Sequence, residues 1–145
     1  MPQLTLDQAQ TIIATALRHA TENKLQPLAV AVLDARGVPK AFAAQDGTSL
    51  RRYEIASGKA HGALSMGIGS RALAKRAATT PHFIAAVTHA VGGSLIPVPG
   101  GVLIRTADRA IIGAVGISGD NSDNDEAAAI AGITAAGLTA DPGEG

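Results

Sequence analysis

Side chains able to do chemistry gather in two stretches of the chain. In the first, residues 111–126 (IIGAVGISGDNSDNDE), an apolar run leads into Asp120, Asp123, Asp125 and Glu126. Carboxylates placed so can hold a cation, act as a general base, or simply complement the positive end of a helix. Asp123 with Glu126 three residues on reads as a capping box, so cap and dipole account for at least two of these acids and leave the rest for a site. In the second stretch, Glu54, Lys59 and His61 lie among Ala56, Gly58, Ala60 and Gly62. A histidine in such surroundings, with Glu54 two turns before it, can serve as acid or base near neutral pH or as a metal ligand. The plainer alternative is a core or interface histidine bonded to a carbonyl.

Other candidates are less pointed. His82 and His89 are seven residues apart on one short helical pattern and read as a surface pair, with a metal site of His61 and His89 as the sharper alternative. No HExxH or close His/Cys/Asp set supports the metal. Arg51 and Arg52 open a helix against its dipole, which suggests that tertiary or ligand anions hold them. Lys59, not at the i,i+4 spacing from Glu54, can neutralise a carboxylate near the turn Ser118-Gly119, or form an ion pair across a subunit boundary. There is no P-loop, Rossmann glycine pattern or nucleophile elbow.

The elements that must position these residues follow from periodicity. Thr5 to Gln8 is a capping box opening a helix whose apolar stripe is Leu6, Ala9, Ile13, Ala16, Leu17 and Ala20, with Asn23 as the stop. His19 reads as a solvated residue of its last turn. Residues 28–33 and 38–45, joined by Asp34-Ala35-Arg36-Gly37, form a hairpin. Thr48 or Ser49 is expected to cap a helix over 50–66. A further helix covers 71–78, and Thr80-Pro81 opens another to about Ala90. A brief extended piece is expected at 94–96. Residues 102–105 and 111–117 make a second hairpin. A nearly all-apolar helix then runs from about 124 to 137, a pattern that needs cover on several sides, and a partner subunit is the expected cover. Residues 139–145 read as a disordered tail.

With 145 residues and no repeat, this is one domain over 1–138, of the α+β class. Absent cysteines remove disulfides and thiolate chemistry and are compatible with a reducing, cytoplasmic setting. Zero formal net charge and three aromatic residues give no footprint for nucleic acid. No signal peptide or membrane span is expected.

The segment Glu54-Ile55-Ala56-Ser57-Gly58-Lys59-Ala60 resembles the E-x-A-x-x-K-A helix of the GlcG/HbpS-like family, also called the haem-degrading or DUF336 family. Gly100-Gly101-Val102, the run from Ile112 to Gly119, then Asp125-Glu126 and an alanine-rich helix resemble its C-terminal half, and Val32 to Gly37 fits its first hairpin. The resemblance implies a profilin-like α/β/α domain on a central antiparallel sheet of about five strands. It also implies assembly into dimers or larger rings, an octamer among them, and in some members binding of haem or a corrinoid. The chain departs from the family at His61-Gly62, where a Thr-Ala pair is usual, and in the extra prolines of residues 92–101. Both changes hint at a specialised ligand or reaction.

The leading expectation is therefore a homo-oligomeric protein that binds haem or a similar small molecule and could degrade it. Its pocket would lie between the 54–66 helix and the turn at 118–126. Lys59, Arg52, Ser118, Gly119, Asp120 and Glu126 would line it, and His61 or Met66 would be axial donors. The rival is a cofactor-independent lyase, isomerase or hydratase of catabolism acting on a small oxo- or hydroxy-acid. There His61 would move the proton, Glu54 or Asp125 would orient it, and Lys59 or Arg52 would hold the anion. A ligand-free adaptor is the third reading.

Overall fold

A computed structural model describes residues 2–144; Met1 and Gly145, the outer ends of the expected domain and tail, lie outside the described residues. The described chain forms, in order, α1 (Leu6–Glu22), β1 (Ala29–Asp34), β2 (Pro39–Ala44), α2 (Arg52–Met66), α3 (Ser70–Thr79), α4 (Pro81–Ala90), β3 (Gly101–Arg105), β4 (Ile111–Ser118), α5 (Ser122–Ala135) and β5 (Thr139–Asp141). The strands make one antiparallel sheet in the order β2-β1-β4-β3-β5. This is the expected α+β arrangement.

Alternation along the central strands divides the core. Val30, Val32, Val102, Ile104, Val115 and Ile117 face α1 and α5, where Ile12, Ala16, Ala129 and Ile133 meet them. Leu33, Leu103 and Ala114 face α2, against Ala60 and Ala63. A third cluster of Leu73, Ile84 and Leu95 holds α3 and α4 together. Under the first half of α2 the interface has almost no side-chain thickness. A Cβ on Gly116 would lie 1.8 Å from the Ala56 carbonyl oxygen, and one on Gly101 would lie 2.2 Å from that of Lys59. Glycine inside these strands thus marks direct contact between helix and sheet backbones.

Helix starts follow local chemistry, with some differences from expectation. Thr5 and Gln8 form the reciprocal capping box of α1, and Asn23 ends it. At α5 the cap is Asn121, which accepts from the Asn124 N–H at 2.9 Å, so Asp123 and Glu126 are not a capping box. Asn121 wins because the chain turns into the helix two residues earlier than the acid spacing suggests. Neither Thr48 nor Ser49 caps α2; Arg51 occupies that position without a side-chain cap. Residues 94–96 form no strand and instead lie across α2 at two glycines. A Cβ on Gly58 would lie 2.6 Å from Ile96 Cγ1, one on Gly62 2.8 Å from Leu95 Cγ, and the Ile96 N–H donates to the Gly58 carbonyl at 3.1 Å.

The expected disordered tail is corrected for residues 139–141. They form β5 on the outer edge of β3, where Arg105 Nε meets Asp141 at 2.8 Å. The next residues pack over the start of α3, with the Arg71 N–H donating to the Pro142 carbonyl at 3.2 Å. The free edge of β3 and an ion pair capture a segment whose composition alone gave no strand.

Candidate functional site

The polar notch expected between α2 and the acidic turn is filled by protein. Lys59 Nζ, on the sheet side of α2, lies 3.1 Å from Asp125 Oδ2 and donates to the Ile117 carbonyl at 2.9 Å. Both side chains are buried, at 3% and 2% exposure. Asp125 Oδ1 accepts from the Asp120 N–H at 3.0 Å. Burial pushes the Lys59 ammonium below its ordinary value and the Asp125 carboxyl above its own, each partly offset by the opposite charge. A pair so enclosed is a pin between α2 and α5.

The remaining acids are equally committed. Asp120 accepts from the Gln26 N–H, the Asn124 amide and the Asn121 N–H, bonds that hold its carboxyl below the usual range. Glu126 and Asp123 both meet Arg71 at the start of α3. Ser118 is buried and accepts from Arg52 Nη1 at 2.9 Å, while Arg52 Nε donates to Ser49. A Cβ on Gly119 would lie 2.1 Å from the Pro27 carbonyl oxygen, so this glycine is a packing contact. Protein groups account for both arginines: Arg51 pairs locally with the exposed Glu54 at 3.3 Å, and only the Arg52 contact to Ser118 is tertiary.

His61 lies elsewhere. Its Nδ1 is 2.8 Å from the Ser94 carbonyl oxygen, which can only accept, so Nδ1 carries the hydrogen and in the neutral ring Nε2 carries the lone pair. Nε2 has no hydrogen-bond partner among the described residues and is not a buried unpaired atom, so solvent reaches it. Beside it the turn between β1 and β2 passes at Gly37, with φ +81°. A Cβ there would lie 3.1 Å from His61 Cδ2 and 3.6 Å from Nε2. The carbonyl contact of the plainer reading is present, but it fixes one nitrogen and leaves the other available.

Neither Glu54 nor Asp125 is a hydrogen-bond partner of His61, so the expected catalytic trio is not assembled. Met66 packs on the cluster of Leu73, Ile84 and Leu95. Among the described residues no three His, Asp or Glu side chains converge as a metal site, and His82 and His89 are exposed. Sequence reasoning missed Ser94 and Gly37 as the partners of His61. It also missed the pairing of Phe42 of β2 with Tyr53 of α2, edge to face at 4.9 Å, and the exposure of Leu50, at 85%, three residues before Tyr53. Only the low count of aromatics could have drawn attention to that pairing.

The architecture defines a class before it defines a relative: a five-stranded antiparallel sheet between helical layers, with a tethered, solvent-reached histidine beside the first hairpin. Residues 4–134 match the model of the family described as haem degrading protein HbpS-like, and the chain belongs to that family. Among solved structures it is similar to HbpS, at 30% identity over 92% of this chain and 90% of that one, with TM-score 0.78. A PduOC:heme complex matches at TM-score 0.83 with 22% identity, covering 94% of this chain and 97% of that one. The Klebsiella pneumoniae protein ORFY, a DUF336 protein, matches at TM-score 0.83 with 24% identity, covering 94% and 93%. The last two likenesses speak to the fold alone. No curated protein matches the chain in sequence. No helix among the described residues is long and apolar enough to cross a membrane.

Proposed function

We propose that the chain is a self-associating protein that binds haem or a similar planar ligand, with His61 Nε2 as the donor to the metal. The observation that carries this reading is the fixed tautomer. A histidine that donates Nδ1–H to a backbone carbonyl and leaves Nε2 open has the outer-shell tether expected of a metal-ligating imidazole. The donor set fits: one neutral nitrogen, a turn at Gly37 without a Cβ, and an aromatic surface farther along the same helix. Tyr53 and His61 are eight residues apart, about 12 Å along α2, and they touch the same hairpin, at Phe42 and Gly37 respectively. Membership of a family described as haem degrading supports the ligand class. Haem, when bound, would supply the redox chemistry of its iron, and His61, oriented through Ser94 beside Gly37, would hold it.

A ligand on this face is covered from one side only, which favours a second subunit as the other wall. The exposed Phe42–Tyr53 pair and the exposed Leu50 support self-association, since exposed apolar side chains gain by burial between copies. Titration with haem is expected to give a Soret band that is lost in His61→Ala while the circular dichroism spectrum is kept. An unchanged band in that variant refutes the assignment of the donor. Decay of the band under reductant and oxygen would extend the reading to degradation. Light scattering is expected to show an oligomer that Leu50→Glu weakens; a monomeric wild-type chain refutes the second wall. The enzyme reading has less support, because Glu54 and Asp125 hold other partners than His61.

A further inference from the structure

A second cleft, of about 580 Å³, opens where the N-terminal segment, the tip of the first hairpin and the start of β4 meet. Its apolar wall includes Leu4, Ile111 and Ile112, of which Leu4 and Ile112 are themselves buried. Its polar side is Asp34, Arg36 and Lys40. The carboxylate of Asp34 is already engaged by the turn: Oδ1 accepts from the N–H groups of Arg36 at 2.9 Å and Val38 at 3.1 Å, and Oδ2 meets Arg36 Nη2 at 3.2 Å. Lys40 has no carboxylate partner among the described residues. The cleft thus joins an apolar floor to one cation without a counter-charge, and to a guanidinium whose side chain is 80% exposed and free to add a second contact.

We propose that this cleft binds a small amphiphilic carboxylate, its apolar body on Leu4, Ile111 and Ile112 and its single negative charge on Lys40. An uncharged ligand would forgo the contact with the ammonium. A dianion would bring one charge more than Lys40 neutralises, next to Asp34. Monoanionic aliphatic or aromatic acids match both the charge and the apolar wall. The site does not depend on His61, which contacts the hairpin at Gly37 and does not line the cleft.

The test uses the full-length protein without haem, with sodium octanoate as the probe, 1-octanol as its uncharged counterpart, and amide chemical shifts as the readout. Octanoate is expected to give saturable shifts confined to the neighbourhood of Ala35, Ile111 and Ile112, with octanol bound at least about tenfold more weakly. Lys40 is exposed on an edge strand, so Lys40→Glu should leave the fold intact and weaken octanoate by about tenfold or more while leaving octanol unchanged. Octanoate binding should persist in His61→Ala, which separates this site from the haem reading. Equal binding of acid and alcohol, shifts scattered over the surface, no saturation at millimolar octanoate, or an unaffected Lys40→Glu would each overturn the proposal.

Discussion

Replacing Lys59 with methionine removes one half of the pin between α2 and α5 and leaves the other half charged. Asp125 is 2% exposed and its cation stands 3.1 Å away, so solvent screens this interaction little. Breaking a buried pair by removing one partner costs about 3–5 kcal/mol. Asp125 keeps the Asp120 N–H at 3.0 Å, which argues for the lower end, about 3 kcal/mol. For a chain of this length each kcal/mol moves the melting temperature by roughly 2–4 °C, so a fall of about 6–12 °C is expected. The pH dependence carries the diagnosis. Burial already raises the Asp125 carboxyl, and Lys59 is the main influence pulling it down. Without Lys59 the folded carboxyl rises further, so the folded state binds a proton more readily than the unfolded chain. Lowering the pH through that raised value therefore returns stability, and the deficit relative to wild type is widest at neutrality and shrinks towards acid. Urea unfolding of both proteins at neutral pH and near pH 5 measures this. A deficit below about 1 kcal/mol at neutrality, or one of equal size at both pH values, would refute the reasoning. Lys59→Met combined with Asp125→Leu should recover part of the loss, because no buried charge is then left alone.

Three further outcomes are expected. Gly37→Ala places a methyl group at 3.1 Å from His61 Cδ2, so haem affinity should fall, accompanied by a stability loss of only about 1–2 kcal/mol for the positive φ; unchanged haem titration would separate the turn from the ligand. Arg71→Ala removes the contacts to Glu126 and Asp123, and a loss of about 1 kcal/mol in urea unfolding is expected, since the arginine is partly exposed. Deleting residues 139–145 uncovers the edge of β3 and leaves Arg105 without Asp141. Hydrogen exchange should then quicken at Leu103 and Arg105, and equal protection in the shortened chain would mean β5 contributes nothing to that edge.

Much of the fold was legible because the decisive signals were local. The Thr5/Gln8 box, the turn at Gly37, the proline at the start of α4 and the apolar runs of β1 and β4 are each set by neighbours in sequence. The two antiparallel hairpins and the family resemblance followed from the same stretches; the strand order did not. The site was less legible because its partners are remote. Ser94 reaches His61 only because Gly58 and Gly62 let residues 94–96 settle on α2. The acids at 120–126 look like an open cluster in sequence; Gln26, Lys59 and Arg71, all distant along the chain, take them up. Residues 139–141 show no strand pattern because the partner edge, and not their own composition, decides their conformation.

The bare contact between α2 and the sheet has a mechanical consequence. With Gly116 under Ala56 and Gly101 under Lys59, and the buried pin fixing the roll of the helix, the first half of α2 has no side-chain layer on which to tilt or slide. The backbone leading into His61 is therefore anchored directly on β3 and β4. Any reshaping that admits or releases a guest on that side falls to the hairpin tip and to residues 94–96, the two pieces that touch the imidazole without belonging to the slab beneath it.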